Sequence, residues 1–476
     1  MRIAVIGGGI AGLSAAWELE KARKEGAALE YVLFEASPVL GGSLRSEKVE
    51  GCVFEAGPDS FLSEKPAAAE LCKELGIADQ LLPSGDQQRK TYILRRNRLV
   101  ALPDGLMFMV PTKLIPTALS PLFSLRTKIR MGLELLHPPR PSEQDESVAQ
   151  LIERHFGAEL VDRLADPLLS GIYGGDCSKL SAESVLPMMV KMEREYGSLT
   201  RGMLAAHAKM KKAMAGKAKS APRPLFTTLC SGMQTMSTAI ERTLLPASIR
   251  CSTAVLSLKP SESNWMVETA TGVESFDAVI LASQSWAAGR MLRSTNANLA
   301  MNLEAIPYAS SITVNLLYDA KEFGKVPPGF GFLIPASEKR QMMACTFVQQ
   351  KFPGRIPDGK VLLRCFLGTS RNESLKSRSD LELEFLMRDE LESILGLRAT
   401  PIAARVYRWS GAMAQYTVGH KGRIAAIRKE VEQMPGLELA GNGYDGIGVP
   451  DCIRTGRAAA KAVMALSVRQ DAISTR

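Results

Sequence analysis

A glycine-rich turn near the N-terminus constrains the fold of this chain more than any other feature. Residues 3–6 read IAVI, a short β-rich run, and GGGIAG and the helical pattern LSAAWELEKARKEG follow directly. The glycines at 7, 9 and 12 match the spacing GxGxxG between a strand and a helix. Gly7 permits a tight turn, Gly9 lets a pyrophosphate approach the backbone, and Gly12 lets helix and strand pack closely. The phosphates would lie at the positive end of the helix dipole, so we expect a dinucleotide-binding unit here, the alternative being a turn without a ligand.

The second predicted strand ends in an acidic residue that suits a ribose. The strand YVLFEA places Glu35 23 residues after Gly12. A carboxylate there accepts hydrogen bonds from ribose hydroxyls and repels a 2′-phosphate. The next stretch, PVLGGSLRSE, contains Gly41, Gly42 and Arg45 and resembles the extended motif of glutathione-reductase-like and amine-oxidase-like flavin enzymes. In those enzymes the loop covers the FAD pyrophosphate, so the resemblance favours tightly held FAD over NAD.

The charge balance limits the classes of partner. The 476 residues carry 59 basic and 50 acidic side chains, a formal charge of +9, and the pI is about 9.1. Nucleic acid, an anionic membrane surface or an acidic small molecule would suit this charge. The sequence contains no helix-turn-helix, zinc-finger or single-strand-binding signature, so no nucleic-acid partner is expected.

The cysteines and histidines predict a reducing compartment and no metal. Eight cysteines are scattered without a CxxC pair, which is typical of a cytosolic protein. The four histidines, at positions 137, 155, 207 and 420, show no ligand spacing. The chain opens directly into a strand, so no signal peptide is expected. These features together predict a cytoplasmic location.

Residues 105–136 are the most membrane-like part of the chain. Pro111, Pro116 and Pro121 interrupt the apolar residues, so this stretch is not expected to cross a membrane. Its apolar residues alternate with lysines and arginines. That pattern suits a peripheral segment on an anionic membrane and equally an amphipathic lid over a core.

The pattern along the chain predicts an α/β fold in which two inserted domains interrupt a Rossmann-like FAD-binding domain. The FAD-binding domain is predicted to be discontinuous, formed by residues 1–85, 222–292 and 405–476. Residues 86–221 are mostly helical, with apolar positions three and four apart, and predict a membrane-facing or lid domain. Residues 293–404 contain several strands and predict a mixed-sheet substrate-binding domain. Six basic residues and no acid in the stretch 209–225 predict a solvated linker.

Longer motifs along the chain resemble one family of flavoproteins. These motifs are GGGIAGLSAA, FEAGPDSF, DPLLSGIYGGDCSKLS, GFGFLIP, YRWSGAMAQYTVGH and GNGYDGIGVPDCI. Over nearly its whole length the chain resembles the oxygen-dependent protoporphyrinogen oxidases and their sibling coproporphyrinogen oxidases, FAD enzymes of haem synthesis. LSGIYGGD and GNGYDGIGVPDCI separate this family from other amine-oxidase-like flavoproteins.

The resemblance implies the residues that contact FAD and substrate. The implied FAD contacts are Gly7, Gly9, Ile10, Ala11, Gly12, Glu35, Ala36, Gly42, Gly57, Pro58, Asp59, Ser60 and Val255, with Trp409, Ile447, Gly448 and Val449 near the isoalloxazine. The implied substrate contacts are Arg89, which pairs with a propionate, and the apolar walls Gly171, Ile172, Phe330, Leu333 and Phe366. A porphyrinogen is a large apolar macrocycle edged by carboxylates, so flat apolar walls and a guanidinium suit it. The alternatives are that Phe330 and Leu333 are strand core, Arg89 a surface arginine and Trp409 a packing residue.

The C-terminal GNGYDGIGVPDCIRTG is expected to complete the flavin site. Gly446 and Gly448 would let the backbone lie against the flavin ring. A helix beginning near Pro450 and Asp451 would point its positive end at the pyrimidine side, where a reduced flavin becomes anionic. Asp451 is interpreted as a helix-start residue and not as a catalytic acid.

The resemblance implies flavin-centred chemistry without an assigned catalytic residue. A hydride would pass from a ring carbon of the porphyrinogen to flavin N5, and O2 would reoxidise the flavin. Three such cycles remove six electrons and yield three H2O2. A ferrochelatase is the implied downstream partner, and the sequence leaves the oligomeric state open.

The substrate prediction leads with protoporphyrinogen IX, because the PPGFGFLIP segment with Phe330 resembles that branch. The alternative is coproporphyrinogen III, which has four propionates instead of two and would suit the basic residues Arg95, Arg96 and Arg98 and the net charge. More distant alternatives are a flavin amine oxidase, which would use an aromatic cage and a lysine near the flavin, a phytoene-desaturase-like carotenoid desaturase, and a non-catalytic FAD-binding scaffold.

Overall fold

The N-terminal glycine turn joins a buried strand to a helix, as its spacing predicts. The computed structural model describes residues 1–107, 109–139, 144–214, 223–262, 264–368 and 372–474. Four of the five residues of the first strand are buried, and the first helix begins immediately after Gly9. The strand–turn–helix therefore lies in the protein core.

Short strands occur along the whole chain. They are β1 (Arg2–Ile6), β2 (Glu30–Phe34), β3 (Ser46–Val49), β4 (Cys52–Glu55), β5 (Phe61–Leu62), β6 (Leu81–Pro83), β7 (Thr91–Arg95), β8 (Arg98–Ala101), β9 (Leu106–Met107), β10 (Val110–Pro111), β11 (Phe226–Leu229), β12 (Ile249–Arg250), β13 (Val255–Ser261), β14 (Asn264–Thr269), β15 (Gly272–Phe276), β16 (Ala278–Leu281), β17 (Tyr308–Asp319), β18 (Gly331–Leu333), β19 (Met342–Phe347), β20 (Lys360–Gly368), β21 (Ala403–Ala414) and β22 (Leu437–Leu439).

Helices separate these strands and dominate one stretch of the chain. They are α1 (Ile10–Lys24), α2 (Ala67–Glu74), α3 (Leu114–Leu119), α4 (Leu125–Leu133), α5 (Val148–Phe156), α6 (Ala158–Leu160), α7 (Asp166–Tyr173), α8 (Ala182–Val185), α9 (Pro187–Tyr196), α10 (Leu199–Met214), α11 (Gln234–Glu241), α12 (Ser285–Leu292), α13 (Ala297–Glu304), α14 (Ala320–Phe323), α15 (Val348–Lys351), α16 (Asp380–Leu395), α17 (His420–Glu432) and α18 (Val449–Ser474).

A five-stranded parallel sheet forms the nucleotide-binding part of the fold. Its strand order is β12-β2-β1-β16-β22, so strands from distant parts of the chain lie side by side. Alternate residues of β1 face opposite sides. Ile3 and Val5 pack in a core with α1, α11 and α18, and Ala4 and Ile6 pack in a second core with α12, α13 and α17. A sheet covered by helices on both faces is the doubly wound arrangement that the glycine turn predicts.

A seven-stranded mixed sheet forms the second layer of the molecule. Its order is β21-β17-β20-β19-β18-β7-β8. The four inner strands β17–β20 lie within residues 293–404, the predicted substrate domain. The strands on either side of these four come from outside it: the hairpin β7–β8 was assigned to the helical domain and β21 to the FAD domain. β21 pairs with β17, and β7 pairs with β18, so strands from all three predicted domains share this sheet.

Helices α4 to α10 pack around their own apolar core. In the stretch 105–136, α3 and α4 expose the large apolar side chains Ile115, Leu119, Leu125, Ile129 and Leu133. Among the described residues, no helix combines the length and apolar character that crossing a bilayer requires. The stretch 209–225 begins as part of α10, and its centre, residues 215–222, lies outside the described residues, as does the predicted boundary there.

Candidate flavin site

The first glycine turn leaves room for a ligand and none for side chains. A Cβ on Gly12 would lie 1.8 Å from the Gly7 carbonyl oxygen, so helix and turn touch as predicted. A Cβ on Gly9 would meet no described atom within 4 Å, so the space above the turn is open. Ile10 and Ala11 open α1, and the first amides of a helix have no intrahelical acceptor. These amides and the open space fit the pyrophosphate of a dinucleotide.

Glu35 lies directly after β2, beside this turn. Its Oε2 accepts a 2.6 Å hydrogen bond from the Gly8 amide, and its Oε1 accepts hydrogen bonds from the Ser37 amide and hydroxyl at 2.7 and 2.6 Å. The Thr253 amide donates to the Glu35 carbonyl oxygen, which brings the start of β13, with Val255, beside the Glu35–Ala36 segment. The predicted ribose and adenine contacts therefore lie on adjacent segments.

The second glycine loop packs on the first. The Gly41 amide donates to the Gly8 carbonyl oxygen at 2.9 Å, and a Cβ on Gly42 would lie 3.1 Å from the Gly9 Cα. A Cβ on Gly57 would lie 2.0 Å from the Ser43 carbonyl oxygen. The three predicted segments around residues 9, 42 and 57 are thus in contact through backbone atoms.

The C-terminal glycine loop meets the same helix. Helix α18 begins at Val449, within two residues of the predicted start. The Gly448 amide donates to Asp451 Oδ2 at 3.2 Å, which agrees with Asp451 as a helix-start residue, and Lys65 Nζ donates to the same oxygen at 2.7 Å. A Cβ on Gly456 would lie 2.0 Å from the Ala11 carbonyl oxygen. The two ends of the chain therefore meet at α1, and the predicted flavin contacts Ile447, Gly448 and Val449 lie at the start of α18.

Tyr416 holds this loop from the side of β21. Its hydroxyl donates to the Asn442 carbonyl oxygen at 2.8 Å and accepts from the Gly446 amide at 2.7 Å. The ring of Tyr416 stacks on His420 at a centroid distance of 4.0 Å. Burial lowers the pKa of His420 to about 4, so the stacked imidazole is neutral at pH 7. The sequence prediction did not include Tyr416 or His420, although both belong to the YRWSGAMAQYTVGH motif.

The predicted apolar walls are brought together by β18 and α7. A Cβ on Gly171 would lie 3.9 Å from Leu333 Cδ2. The Phe330 amide donates to the Lys90 carbonyl oxygen at 2.8 Å, so Phe330 lies beside the segment that contains Arg89. Arg89 is exposed, as is Ile172 on α7. One wall of the site is therefore apolar and has a cation at its margin.

Comparison with known families identifies the fold and its cofactor. The model of the flavin-containing amine oxidoreductases matches residues 10–464, nearly the whole chain. The chain belongs to this family. It is a flavin-dependent oxidoreductase and its cofactor is FAD, as the resemblance of the PVLGGSLRSE loop implies.

Individual relatives cover almost the full length of this flavoenzyme. The coproporphyrinogen III oxidase of Bacillus subtilis is 35% identical over 96% of both chains, and that of Staphylococcus aureus is 30% identical over 97% of this chain and 99% of its own. A protoporphyrinogen oxidase of Arabidopsis thaliana is 29% identical over 97% of this chain and 94% of its own. A crystal structure from Exiguobacterium sp. 255-15, named as a protoporphyrinogen oxidase, superposes with a TM-score of 0.85 at 29% identity and covers 97% and 98% of the two chains.

Trp409 lies where the seven-stranded sheet of this flavoenzyme meets the segment after β4. Its Nε1 donates a 2.7 Å hydrogen bond to the Ala56 carbonyl oxygen, and the Arg45 guanidinium lies 5.7 Å from its ring centroid. Trp409 on β21 thereby links the substrate-side sheet to the segment 56–60 of the flavin site. Trp409 contacts two segments that are predicted to bind flavin, so its contacts extend beyond its own sheet.

Buried charges lie beneath the segment 56–60, and the sequence prediction missed most of them. Asp59 was predicted to contact FAD, but its carboxylate pairs with Lys351 at 3.0 Å and Arg364 at 3.5 Å. Burial would raise the pKa of Asp59, but these two cations hold it well below its usual range. The Ser60 hydroxyl bonds to Asp59 and accepts from Lys351. One sequence feature indicated a buried charge here: Arg364 lies inside the mostly apolar strand KVLLRCFLGT.

The helical part contains a second buried charged cluster. His155 Nδ1 lies 2.8 Å from a Glu134 oxygen and its Nε2 lies 3.2 Å from Glu193, and His137 stacks on His155. His137, His155 and Glu193 have the composition of a metal site, which the histidine spacing did not predict. However, Arg154 bonds the same Glu193 carboxylate. This cation and the hydrogen-bonded imidazole favour an ion-pair network over a metal site.

Proposed function

We propose that this flavoenzyme oxidises a porphyrinogen to the porphyrin in haem biosynthesis, with coproporphyrinogen III as its substrate. The observation that carries the proposal is full-length similarity at 30–35% identity to coproporphyrinogen III oxidases of three bacteria. The relatives named protoporphyrinogen oxidase are 29% identical. The comparisons thus favour the alternative substrate of the sequence analysis over protoporphyrinogen IX, which led it.

We infer that the basic hairpin contributes little to this choice of substrate. Arg95, Arg96 and Arg98 were considered as additional propionate contacts. Arg89 precedes β7, and these three lie at its far end, where the chain turns into β8. β7 begins two residues after Arg89 and its five residues span about 16 Å, so the three arginines lie at the opposite end of the strand from Arg89. The carboxylate contacts of the proposed substrate would instead come from Arg89 and neighbouring residues.

The protein's own part in the reaction would be positioning. FAD, when bound, supplies the two-electron acceptor, and O2 is the proposed final acceptor. The apolar residues Phe330, Leu333 and Gly171 would enclose the macrocycle, and Arg89 would pair with a propionate. The conversion removes six electrons and six protons from the porphyrinogen and reduces three O2 to three H2O2, so the substrate must return to a reactive position three times.

The test is a direct comparison of substrates. The yellow holoenzyme is mixed under air with coproporphyrinogen III or protoporphyrinogen IX while porphyrin fluorescence and O2 uptake are recorded. We expect a higher kcat/KM for coproporphyrinogen III and three O2 consumed per porphyrin formed. A higher value for protoporphyrinogen IX would overturn the substrate assignment. Oxidation of a polyamine with no porphyrin fluorescence would overturn the function.

Arg89→Ala should weaken substrate binding and leave FAD in place. A charge-assisted hydrogen bond is worth about 1.5–3 kcal/mol, so the KM for the porphyrinogen should rise about tenfold to hundredfold. The FAD content, read from the flavin absorbance per protein, should equal that of the wild type. Arg98→Ala, at the far end of the hairpin, is the matched control and should leave the KM unchanged. Loss of FAD from Arg89→Ala would refute the assigned role.

We further propose that the face formed by Ile115, Leu119, Leu125, Ile129 and Leu133 lies on an anionic membrane, where it could deliver product to a ferrochelatase. All five side chains are at least half exposed, and Lys113 and Arg126 beside them are exposed too. Exposed apolar residues flanked by cations are typical of peripheral membrane surfaces.

Vesicle cosedimentation tests this surface. The double variant Leu119→Gln/Leu125→Gln should bind phosphatidylglycerol vesicles at least about tenfold more weakly than the wild type, since each leucine contributes more than 1 kcal/mol when buried. Leu381→Gln/Phe385→Gln removes two equally exposed apolar residues of α16 and should bind normally. Equal binding by both variants, or none by the wild type, would contradict the proposal.

A further inference from the structure

Five ionisable side chains form a buried cluster where β4 and the segment after it meet the seven-stranded sheet. They are Glu55, Asp59, Lys351, Arg355 and Arg364, and the relative exposure of Glu55, Lys351, Arg355 and Arg364 is 9% or less. Arg355 pairs with Glu55 and donates to the Thr228 hydroxyl at 2.7 Å. Lys351 and Arg364 share Asp59. Three cations face two anions, so one positive charge is left over in a region from which water is largely excluded.

This cluster holds residues 56–60, the segment that contains the predicted FAD contacts Gly57 to Ser60. The Arg364 guanidinium donates to the Gly57 carbonyl oxygen, and Arg355 donates to the Asp59 carbonyl oxygen at 3.3 Å. Lys351 Nζ donates to both Asp59 carboxylate oxygens, at 3.1 and 3.0 Å, and to Ser60 Oγ at 3.2 Å. Most of the hydrogen bonds that side chains elsewhere in the protein make to Gly57–Ser60 thus come from these three cations.

The same cations touch the proposed substrate wall. The Arg364 guanidinium lies 4.8 Å from the centroid of Phe366. Lys351 Nζ lies 4.6 Å from the centroid of Phe226, which packs 6.4 Å from Phe330. The cluster is therefore in contact with both halves of the active site and is not an isolated structural ion pair.

We propose that Lys351 and Arg364 are positioning residues for FAD: they fix the segment 56–60, and the surplus positive charge of the cluster favours the reduced, negatively charged flavin. A fixed charge in a low-dielectric region acts strongly on a group whose charge changes during reaction. The ion pairs of Lys351 and Arg364 with Asp59 hold the segment. The surplus charge sets the preference between oxidised and reduced FAD. The proposal requires bound FAD and does not depend on which substrate the enzyme oxidises.

Variants that change the cluster's net charge in opposite directions test the proposal. Lys351→Met lowers the formal charge from +1 to 0, so the two-electron reduction potential of the bound FAD should fall and the FAD dissociation constant should rise at least tenfold. Asp59→Asn raises the charge to +2, and the potential should rise. The double variant Lys351→Met/Asp59→Asn returns the charge to +1, so its potential should lie close to that of the wild type.

The controls separate charge from packing. Lys351→Arg keeps the charge and should keep the potential. Lys360→Met neutralises a lysine on β20 that bonds to Glu50 at the surface and should change neither the potential nor FAD binding. If Lys351→Met retains wild-type potential and FAD affinity, the proposal is wrong. If Lys351→Met and Asp59→Asn shift the potential in the same direction, the cluster acts through packing alone, and the charge assignment is overturned even where porphyrinogen oxidation persists.

Discussion

Gly12→Ala is expected to cost this flavoenzyme most of its bound FAD. The new Cβ would lie 1.8 Å from the Gly7 carbonyl oxygen and 3.2 Å from Ala282 Cβ. Because the nearest atom belongs to the backbone, α1 must move away from the turn. Overpacking of this kind costs about 1–3 kcal/mol of stability, and it displaces the first-turn amides that face the phosphates. The FAD dissociation constant should rise at least about tenfold, measured by reconstituting the apoprotein with FAD.

Gly422→Ala provides the matched control for this change. Gly422 is also a helical glycine, in the first turn of α17, but a Cβ there would meet no described atom within 4 Å. Alanine should stabilise that helix by up to about 1 kcal/mol and leave FAD binding unchanged. A Gly12→Ala protein that is purified with a full complement of FAD and an unchanged Tm would contradict the assigned packing.

Glu193→Gln is expected to destabilise the helical part of the protein strongly. Glu193 on α9 is buried and bonds to Arg154 and His155 on α5. Removing its charge leaves the buried His155 and the half-buried Arg154 with one acidic partner fewer each, which costs about 3 kcal/mol, the lower end of the range for a buried ion pair. The Tm and the urea midpoint at pH 7 should both fall. Glu373→Gln, which removes an exposed partner of Lys376, should change neither appreciably.

The contacts of Glu193 with Arg154 and His155 also predict how the stability of the fold depends on pH. Burial would raise the pKa of Glu193, but hydrogen bonds from His155 and Arg154 outweigh it and lower the pKa to about 2. A lowered carboxyl pKa stabilises the fold above the ordinary value near 4.5 and loses that contribution as the pH falls towards 2. The wild type should therefore lose stability over this range, and Glu193→Gln should lose less. A variant with the same slope of stability against pH would exclude Glu193 as its source.

His155 contributes to the pH dependence of stability in the opposite direction from Glu193. Burial would lower its pKa, but hydrogen bonds from its ring to Glu134 and Glu193 outweigh it and raise the pKa above the ordinary 6.5. This group stabilises the fold below pH 6.5, and the contribution is lost as the pH rises through its folded-state pKa. The cluster is therefore expected to be most stable between the two transitions, at weakly acidic pH.

The flavin-binding segments could be predicted from the sequence because their requirements are local. The spacing of Gly7, Gly9 and Gly12 encodes a turn and a close helix contact within six residues. The structure brings this turn, Gly42 and Gly57 into contact, and Gly456 seats the C-terminal helix on Ala11. The family match confirms FAD as the cofactor, whereas the individual contacts of each residue with FAD stay predictions.

The buried charges could not be predicted in the same way. Lys351, Arg355 and Arg364 are spread over fourteen positions. Lysines and arginines elsewhere in the chain are mostly exposed, so their residue type does not mark these three as buried. They become one cluster only because β17, β19 and β20 align side by side above β4 and the segment that follows it. His155 and Glu193 are 38 residues apart and meet only through the packing of α5 on α9.

The sequence by itself determined the nucleotide turn and the two glycine loops, because their glycines allow backbone contacts that a side chain would block. Its longer motifs determined the membership of a flavoprotein family. The tertiary structure decided which strands complete the substrate-side sheet, where Asp59 directs its carboxylate, and which cations lie beneath the flavin segment. A side chain's partners depend on residues distant in the chain, and burial changes the cost of its charge. These two effects appear only when the sheets and helices pack together.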